Sequence, residues 1–280
     1  MRKIKTILIS IVVLVILFVF GGSDDLVAKI ENIIGNNNQE VLSDLEGNSV
    51  HYSDLEYAEI KTDVDDQIKT YKGFVLSFNS ENHTPNWVGW ELLSSEIGGT
   101  IPRSDRFWTD DEITGCPAHS DYKRSGYDRG HMCPAGDSRW SAQAMKESFY
   151  MTNICPQHPN LNGGDWHELE QACRRWALEG RLYIACGPIL YKKGTPQYIG
   201  KEHKIRVPEA FFKVILTGVE KGKPRAIGFI YKNTAGNRPL DSYVNSIDQV
   251  ERITGLDFFS ELPDEIENRV EKAFNLKEWK

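Results

Sequence analysis

Apolar segments of strand length recur along the chain and predict the strands of a sheet. Residues 71–78 and 87–93 are typical of two strands paired around a turn that contains Asn, Glu and Pro. Segments 127–133 and 149–155 indicate two further short strands. Three more apolar segments are long enough for core strands, at residues 182–186, 211–217 and 226–231.

A helical period is clearest between residues 163 and 179. Apolar side chains recur there at spacings of three, four and three and form one stripe for burial: Trp166, Leu169, Cys173 and Trp176. Further on, Ser246 and Gln249 have the spacing of a capping box, and Gly255 suits the C-terminal end of that short helix. A last, charged helix is predicted over residues 264–274.

Long loops separate these elements. Residues 94–126 are rich in Gly, Pro, Ser and Asp and predict an irregular connection, and connections of that length in a compact domain tend to be functional or disordered. Strands interrupted by long loops and a few helices favour an α+β domain with a central, mainly antiparallel sheet flanked by helices.

The N-terminal quarter differs from the rest in composition. Residues 1–21 combine a basic start with an apolar run at 7–20, which is typical of a signal peptide or of an uncleaved membrane anchor. Residues 22–69 predict an acidic spacer, and residues 70–280 the folded domain. We therefore expect an extracytoplasmic protein, secreted or periplasmic, with a possible membrane tether through residues 7–20.

Charge is distributed unevenly. The chain has a net charge of −7, yet residues 22–70 contain 12 acidic and 3 basic residues, so the predicted domain is nearly neutral. Such a domain lacks the basic surface of a protein that coats nucleic acid, and an enzyme that engages phosphates locally fits better. The 5 cysteines admit one or two disulfides in an exported chain, or several small buried core residues, and their spacing does not decide between these.

One short stretch combines a base with a phosphate-binding cation. In residues 127–133, alternation along an extended strand places Arg129 and His131 on one face and Asp128 on the other, while Gly130 leaves room for a close approach. A neutral imidazole can take a proton from water near pH 7, and a guanidinium can hold a phosphate. A structural histidine beside an arginine has the same spacing.

A second stretch offers ligands for a hard cation. Asn162 stands at the entry of the helix predicted over 163–179, and Glu170 lies about two turns further on. An amide oxygen is acceptable to Mg²⁺, which takes few protein ligands and keeps several waters. Taken singly, Asn162 is equally typical of a helix N-cap, Asn153 of a strand end and Glu170 of a solvated helix face.

Together these segments resemble the DNA/RNA non-specific endonuclease family, the Serratia nuclease and endonuclease G-like group. Asp128-Arg129-Gly130-His131 matches the family's signature tetrad. Asn153, Asn162 and Glu170 match its second block in order and spacing, and the segment 106–108 is similar to its upstream Arg-x-Trp element. The resemblance extends over roughly residues 70–275.

The resemblance implies a ββα-metal (His-Me finger) nuclease that hydrolyses DNA and RNA to 5′-phosphate products. It implies His131 as general base and Asn162 as the direct protein ligand of Mg²⁺, for which Mn²⁺ can substitute. The supporting residues that it implies are Arg129, Asn153, Glu170 and Arg106, with Asp128 and Gly130 completing the motif. Asn153 would help to orient His131, and Arg103 is an alternative to Arg106 as the upstream phosphate ligand.

Two other functions remain open on the sequence alone. A zinc-dependent hydrolase would use His119, His158, His167 and cysteines, but their spacing is irregular and no HExxH motif is present. A module of the same fold that binds nucleic acid without cleaving it would not need His131, Asn162 and Glu170 together.

Overall fold

The computed structural model describes residues 54–191 and 194–279. All elements below belong to the unit formed by residues 51–219 and 223–280. The strands are β1 Ala58–Ile60, β2 Gln67–Thr70, β3 Val75–Asn79, β4 Thr84–Leu92, β5 Asp128–His131, β6 Ile154–Gln157, β7 Leu182–Ile189, β8 Tyr198–Ile199, β9 Ile205–Arg206, β10 Ala210–Thr217, β11 Arg225–Lys232, β12 Val244–Asn245 and β13 Leu256–Phe258. The α-helices are α1 Ala142–Ser148, α2 Pro159–Asn162, α3 Asp165–Ala177, α4 Ile247–Thr254 and α5 Asp264–Glu271.

Seven of the described strands form one central sheet in the order β12-β11-β10-β7-β4-β3-β2, and every neighbouring pair is antiparallel. The expected pairing of the two earliest apolar segments is present as β3 and β4. The three core strands predicted from continuous apolar sequence are β7, β10 and β11, and β7 and β10 are buried along their whole length. The α+β fold with a central antiparallel sheet is therefore confirmed.

A pair of short strands and a helix lie against this sheet. β5 and β6 pair antiparallel, with His131 opposite Ile154, and α2 and α3 follow directly. The indole Nε1 of Trp166 in α3 donates to the carbonyl of His131 at 3.4 Å, which ties the helix to the strand. Two strands followed by a helix give the expected ββα arrangement.

The strand predicted over 149–155 begins later than expected. Residues 151–153 form a 3₁₀ turn, and the ladder runs from Ile154 to Gln157. The cause is Asn153, because its side chain bonds to the backbone of Cys133 and of Ser148 and its own N–H donates to the Tyr150 carbonyl. Such local bonds compete with a strand ladder.

Alternation along β10 assigns the two faces of the sheet. Phe211 packs on Trp166 of α3, with ring centroids 5.7 Å apart, whereas its neighbour Phe212 packs on Phe258 of β13 at 5.4 Å. A side chain at Gly228, on the Phe212 face of β11, would lie 2.9 Å from Val250 of α4. We call the first side, which carries α3, the α3 face, and the second, which carries α4 and β13, the α4 face.

The predicted helices are present on both faces, although the one predicted over 264–274 ends at Glu271. In α3, Trp166, Leu169 and Cys173 are buried, as the apolar stripe predicts, and Trp176, its fourth member, is half-buried against the same core. In α4, the Ser246 hydroxyl accepts from the Gln249 N–H and the Gln249 side chain accepts from the Ser246 N–H, so the capping box is present. Gly255 ends α4 with φ +76°, a conformation that glycine adopts without strain.

The folded part begins before residue 70. Residues 54–69, expected in the acidic spacer, carry β1 and β2, which pair with β13 and β3 respectively. β1 and β2 have the alternating covered and exposed positions of edge strands. Because only about every second side chain is covered, their sequence stays largely polar and predicts a strand only weakly. The predicted signal or anchor at 1–21, the tether at 7–20 and the rest of the spacer lie outside the described residues.

All five cysteines lie in the described part of the chain, where they are buried and free. Of the two interpretations of these residues, the structure matches small side chains packed in a core. A search of the described helices finds none that is both long and apolar enough to cross a membrane.

Candidate active site

The β5–β6 ladder brings the signature residues close to the second motif. Gly130 lies opposite Cys155, and a Cβ at this position would lie 2.3 Å from the Gln157 Oε1 and 2.6 Å from its Cβ. Any other residue at 130 would therefore require the Gln157 side chain to shift. Glycine at 130 is needed for this close approach, as the sequence suggests.

His131 is buried among aromatic rings. It is 7% exposed, and its ring centroid lies 4.7 Å from that of Phe149 and 5.5 Å from that of Phe107. Its Nε2 is buried without a hydrogen-bond partner. Burial, together with the positive charges of Arg103 and Arg129, lowers the pKa of His131 to about 3. The imidazole is therefore neutral at pH 7, as a proton acceptor must be.

Asn162 is the last residue of α2, and its amide has a fixed orientation. Its Nδ2 donates to the Oδ2 of Asp128 at 2.9 Å. The donor end of the amide is thereby occupied, and its oxygen makes no hydrogen bond within the described residues. Asp128, on the face of β5 away from Arg129, thus holds Asn162 with its oxygen available as a ligand.

His131 and Asn162 line one cavity of about 680 Å³. Glu170, Arg103 and Arg174 line the same cavity. The remaining lining residues come from nearby loops and from α3: Gly98, Pro134, Ala135, Gly136, Arg139, His167 and Gln171. Three guanidinium groups around one cavity make it suited to an anion such as a phosphodiester.

Charged neighbours surround Glu170. His167 Nδ1 lies 3.5 Å and Arg174 Nη2 3.9 Å from its Oε2. The hydrogen bond with Glu170 raises the pKa of His167. Arg174 also binds Asp137, with 2.6 Å between Nη1 and Oδ1. Arg174 therefore lies between the two carboxylates, in close contact with Asp137 and at a longer distance from Glu170.

Asp137 and Arg174 were missed at the sequence level. Burial raises the pKa of Asp137 to about 6, and Arg174 limits the rise. Trp90 Nε1 donates to its other oxygen at 3.2 Å. Beneath this pair lies Lys213, fully buried, with its Nζ 4.4 Å from the ring centroid of Trp166. The only sequence signal for Arg174 is its i, i+4 spacing from Glu170.

The structure brings Arg103, and not Arg106, to the cavity. Arg103 lies over the Phe149 ring at 5.1 Å from its centroid, and its charge acts on His131. Arg106 is exposed and lies over Trp108 at 5.8 Å, outside the lining of the cavity. The Arg-x-Trp spacing predicts Arg106, but residues 103–108 lie in an irregular loop, where spacing does not fix the direction of a side chain.

Arg129 and Asn153 support the site in different ways. Arg129 lies 4.6 Å from the centroid of Phe107, the ring that also packs on His131, so the expected shared face of β5 is present. Asn153 is fully buried and bonds to the backbone of Cys133 and Ser148. It fixes the chain two residues after His131 and makes no bond to the imidazole.

The donor set at the cavity fits a hard divalent cation better than zinc. An amide oxygen with its N–H₂ already bonded and a carboxylate nearby are oxygen ligands of the kind that Mg²⁺ takes. Among the described residues, the clusters of His, Cys, Asp and Glu that could hold a metal contain neither histidine nor cysteine. The structure therefore does not gather the ligands of the zinc-hydrolase alternative.

Comparison with known proteins gives the same family as the motifs. Residues 51–265 match the family described as DNA/RNA non-specific endonuclease. Over 208 residues the chain is 35% identical to the mitochondrial nuclease EXOG of Danio rerio, covering 69% of this chain and 60% of that protein. It is 33% identical over 224 residues to a nuclease of a Nostoc species, covering 74% and 78% of the two chains.

Human mitochondrial endonuclease G is 30% identical over 206 residues, covering 69% of each protein. A crystal structure of the EndoG/EndoGI complex, described as showing the mechanism of EndoG inhibition, superposes with a TM-score of 0.67 at 28% identity. The match covers 72% of this chain and 89% of that one. Because the matched residues 51–265 include β5, β6, α3 and the central sheet, the chain belongs to the DNA/RNA non-specific endonuclease family.

Proposed function

We propose that the protein is an endonuclease that hydrolyses phosphodiester bonds of DNA and RNA without preference for sugar or sequence. It would use Mg²⁺, with Mn²⁺ as a substitute, and leave 5′-phosphates. The observation that supports this most directly is the cavity shared by a neutral His131 and the oriented amide of Asn162.

In this proposal His131 is the general base. Its imidazole is neutral and lies beside two arginines, so it would take a proton from the attacking water. Arg103, which lines the cavity, would hold the phosphate, and Arg129, which is exposed and does not line the cavity, would contribute the positive charge that also acts on His131. A bound phosphate offsets the arginine charges that depress the pKa of His131. Substrate binding therefore makes the imidazole a stronger base at the moment when it is needed.

Asn162 would hold the cation through its amide oxygen, and Glu170 would support it from α3. When bound, Mg²⁺ supplies positive charge that stabilises the phosphate and the leaving oxygen. Asp128 and Arg174 act through these two ligands, because the first orients the amide and the second holds the carboxylate.

Low specificity follows from the groups that line the cavity. Arginines that bind phosphate position a nucleic acid but carry no information on its sequence. We also propose that residues 1–21 direct the chain out of the cytoplasm, as signal or anchor, and that the acidic residues after them separate it from the membrane.

The test is cleavage by the purified full chain. Supercoiled plasmid DNA and single-stranded RNA should both be degraded with Mg²⁺ and left intact with EDTA, and the products should accept no further phosphate at their 5′ ends until treated with phosphatase. A chain that binds nucleic acid but cleaves neither substrate with Mg²⁺ or Mn²⁺ is instead the non-catalytic module. Activity that returns with Zn²⁺ alone would favour the zinc hydrolase.

A further inference from the structure

Carboxylates cluster on the α4 face, on the opposite side of the sheet from His131. α4 contributes Asp248 and Glu251, which are three residues apart, and α5 contributes Glu267 and Glu271, which are four apart. These spacings place each pair on one side of its helix. β13 adds Asp257 between them. We call these five residues the acidic cluster.

The carboxylates of the acidic cluster approach closely enough to share a ligand. One oxygen each from Asp248, Glu251 and Glu271 lie within 4.8 Å of one another. The same holds for one oxygen each from Asp257, Glu267 and Glu271. Glu271 belongs to both groups and is therefore the centre of the cluster.

Glu271 provides an independent sign of a missing partner. Its side chain is 7% exposed, and its Oε1 is buried with no hydrogen-bond donor. A buried carboxylate oxygen without a donor is costly, and nearly all such atoms in folded proteins are satisfied. The unsatisfied oxygen lies in the carboxylate that the other four surround.

Protein cations do not supply that partner. Lys61 binds Asp257 at 2.6 Å, on one side of the cluster. Within the described residues, no lysine, arginine or histidine nitrogen lies within 4.0 Å of a carboxylate oxygen of Asp248, Glu251 or Glu271. Burial and then the neighbouring carboxylates raise the pKa of Glu271 to about 8. Positive charge, from protons or from a metal ion, is what Glu271 and its two neighbours on α4 lack among the described residues.

We propose that the acidic cluster binds a divalent cation of the size and hardness of Ca²⁺, with Glu271 as the central ligand. All candidate ligands are oxygens, which hard cations prefer, and they include several carboxylates on an irregular scaffold. Ca²⁺ accepts six to eight oxygens in flexible geometry, whereas Mg²⁺ demands a near-ideal octahedron. The ion would join α4, β13 and α5. Its binding would not depend on the proposed nuclease activity.

The experiment is a titration of chelator-treated full-length protein with CaCl₂. Binding is measured by calorimetry, and stability by the thermal midpoint of unfolding, Tm. The variants are Glu271→Gln and Glu251→Gln. The matched control is Glu265→Gln, an exposed acid on the same helix as Glu271. Asn162→Ala separates the acidic cluster from the cavity that contains His131. Plasmid nicking in Mg²⁺ checks that each cluster variant is folded.

We expect about one Ca²⁺ bound per chain, with a Kd of about 1 mM or below and a rise in Tm. The control and Asn162→Ala should bind equally well, whereas Glu271→Gln and Glu251→Gln should bind at least about tenfold more weakly and lose the rise in Tm. Should Glu271→Gln fail to fold, Glu251→Gln, which is less buried, decides the question.

Three results would overturn the proposal. One is no heat and no shift in Tm up to about 10 mM Ca²⁺, beyond the weakest protein calcium sites. Another is binding that Asn162→Ala abolishes, because the ion would then occupy the cavity with His131. The third is an unchanged Kd in the folded cluster variants, which would make the binding adventitious and leave the cluster to be neutralised by protons.

Discussion

On the α3 face of the sheet, Asp137 is buried with Arg174 at 2.6 Å and feels the charge of Lys213 below it. On the α4 face, Glu271 is buried with carboxylates as its nearest charged neighbours. Both acids have raised pKa values, mainly because of burial, but only the first has a protein cation in contact. On the α3 face the chain itself supplies the cation for its buried acid, whereas the charge of Glu271 on the α4 face is set by protons or cations from solution.

The largest expected effect lies on the α3 face. His131→Ala should reduce the rate of cleavage by roughly 10³-fold, the usual contribution of a general base. Nucleic-acid binding should persist, because the arginines remain. His119→Ala, at an exposed histidine outside the cavity, is the control and should cleave normally. Equal loss in both variants, measured by plasmid nicking, would remove His131 from the mechanism.

Removal of a protein cation should destabilise the α3 face. Arg174→Ala leaves Asp137 buried without its partner, and breaking a buried pair in this way lowers the free energy of unfolding by about 3 kcal/mol. Chemical denaturation in EDTA measures this. Arg175→Ala, at the exposed neighbouring position, should change little. A loss below about 0.5 kcal/mol for Arg174→Ala would show that the two faces do not differ as described.

Removal of an acid from the α4 face should change the free energy of unfolding in the opposite direction. In EDTA at about pH 9, where Glu271 with its pKa of about 8 is ionised, Glu271→Gln takes one negative charge from a crowded group, so the free energy of unfolding should stay the same or rise by up to about 1 kcal/mol. The same denaturation series measures it beside Arg174→Ala. A clear loss of stability would mean that Glu271 has a favourable partner in the folded protein.

The smallest expected effects are those of pH on stability. Carboxylates with raised pKa values bind more protons in the folded state, so their contribution is complete below their unfolded pKa and is lost as pH rises. With Glu251 at about 7 and Glu271 at about 8, Tm in EDTA should fall between pH 5 and pH 8. Glu271→Gln should flatten this slope, and an unchanged slope would assign it to other groups.

His131 is predicted to behave differently. A base is active when unprotonated, and its pKa of about 3 keeps the imidazole neutral far below pH 7. The profile of kcat/KM against pH should therefore show no acid limb from His131 between pH 5 and pH 7. Arg103→Ala removes one of the charges that lower this pKa and should shift the acid limb of the profile to higher pH. His167→Gln identifies any limb that belongs to His167.

Much of the sheet and of the proposed catalytic pair could be predicted because the signals are local. The strands β7, β10 and β11, the stripe of α3 and the capping box of α4 each depend on residues close in sequence. The motif residues His131 and Asn162 were found together because their spacing resembles that of a known family. Each of these signals lies within a few residues of the element that it predicts.

What could not be predicted depends on contacts between distant segments. The bond from Arg174 to Asp137 spans 37 residues, and the side-chain direction that selects Arg103 over Arg106 arises in a loop without periodicity. The acidic cluster forms only when α4, β13 and α5 pack together. The edge strands β1 and β2 were assigned to the spacer because their polar composition resembles that of a linker.

The buried thiols offer a way to observe one half of the molecule at a time. All five belong to the apolar core on the α3 face, together with Phe211 and Trp166. A thiol reagent in solution therefore modifies them only when that half opens, at a rate set by local unfolding. No cysteine lies in the acidic cluster. The modification rates therefore measure local unfolding of the core on the α3 face, beneath the cavity, and do not respond to opening of the acidic cluster.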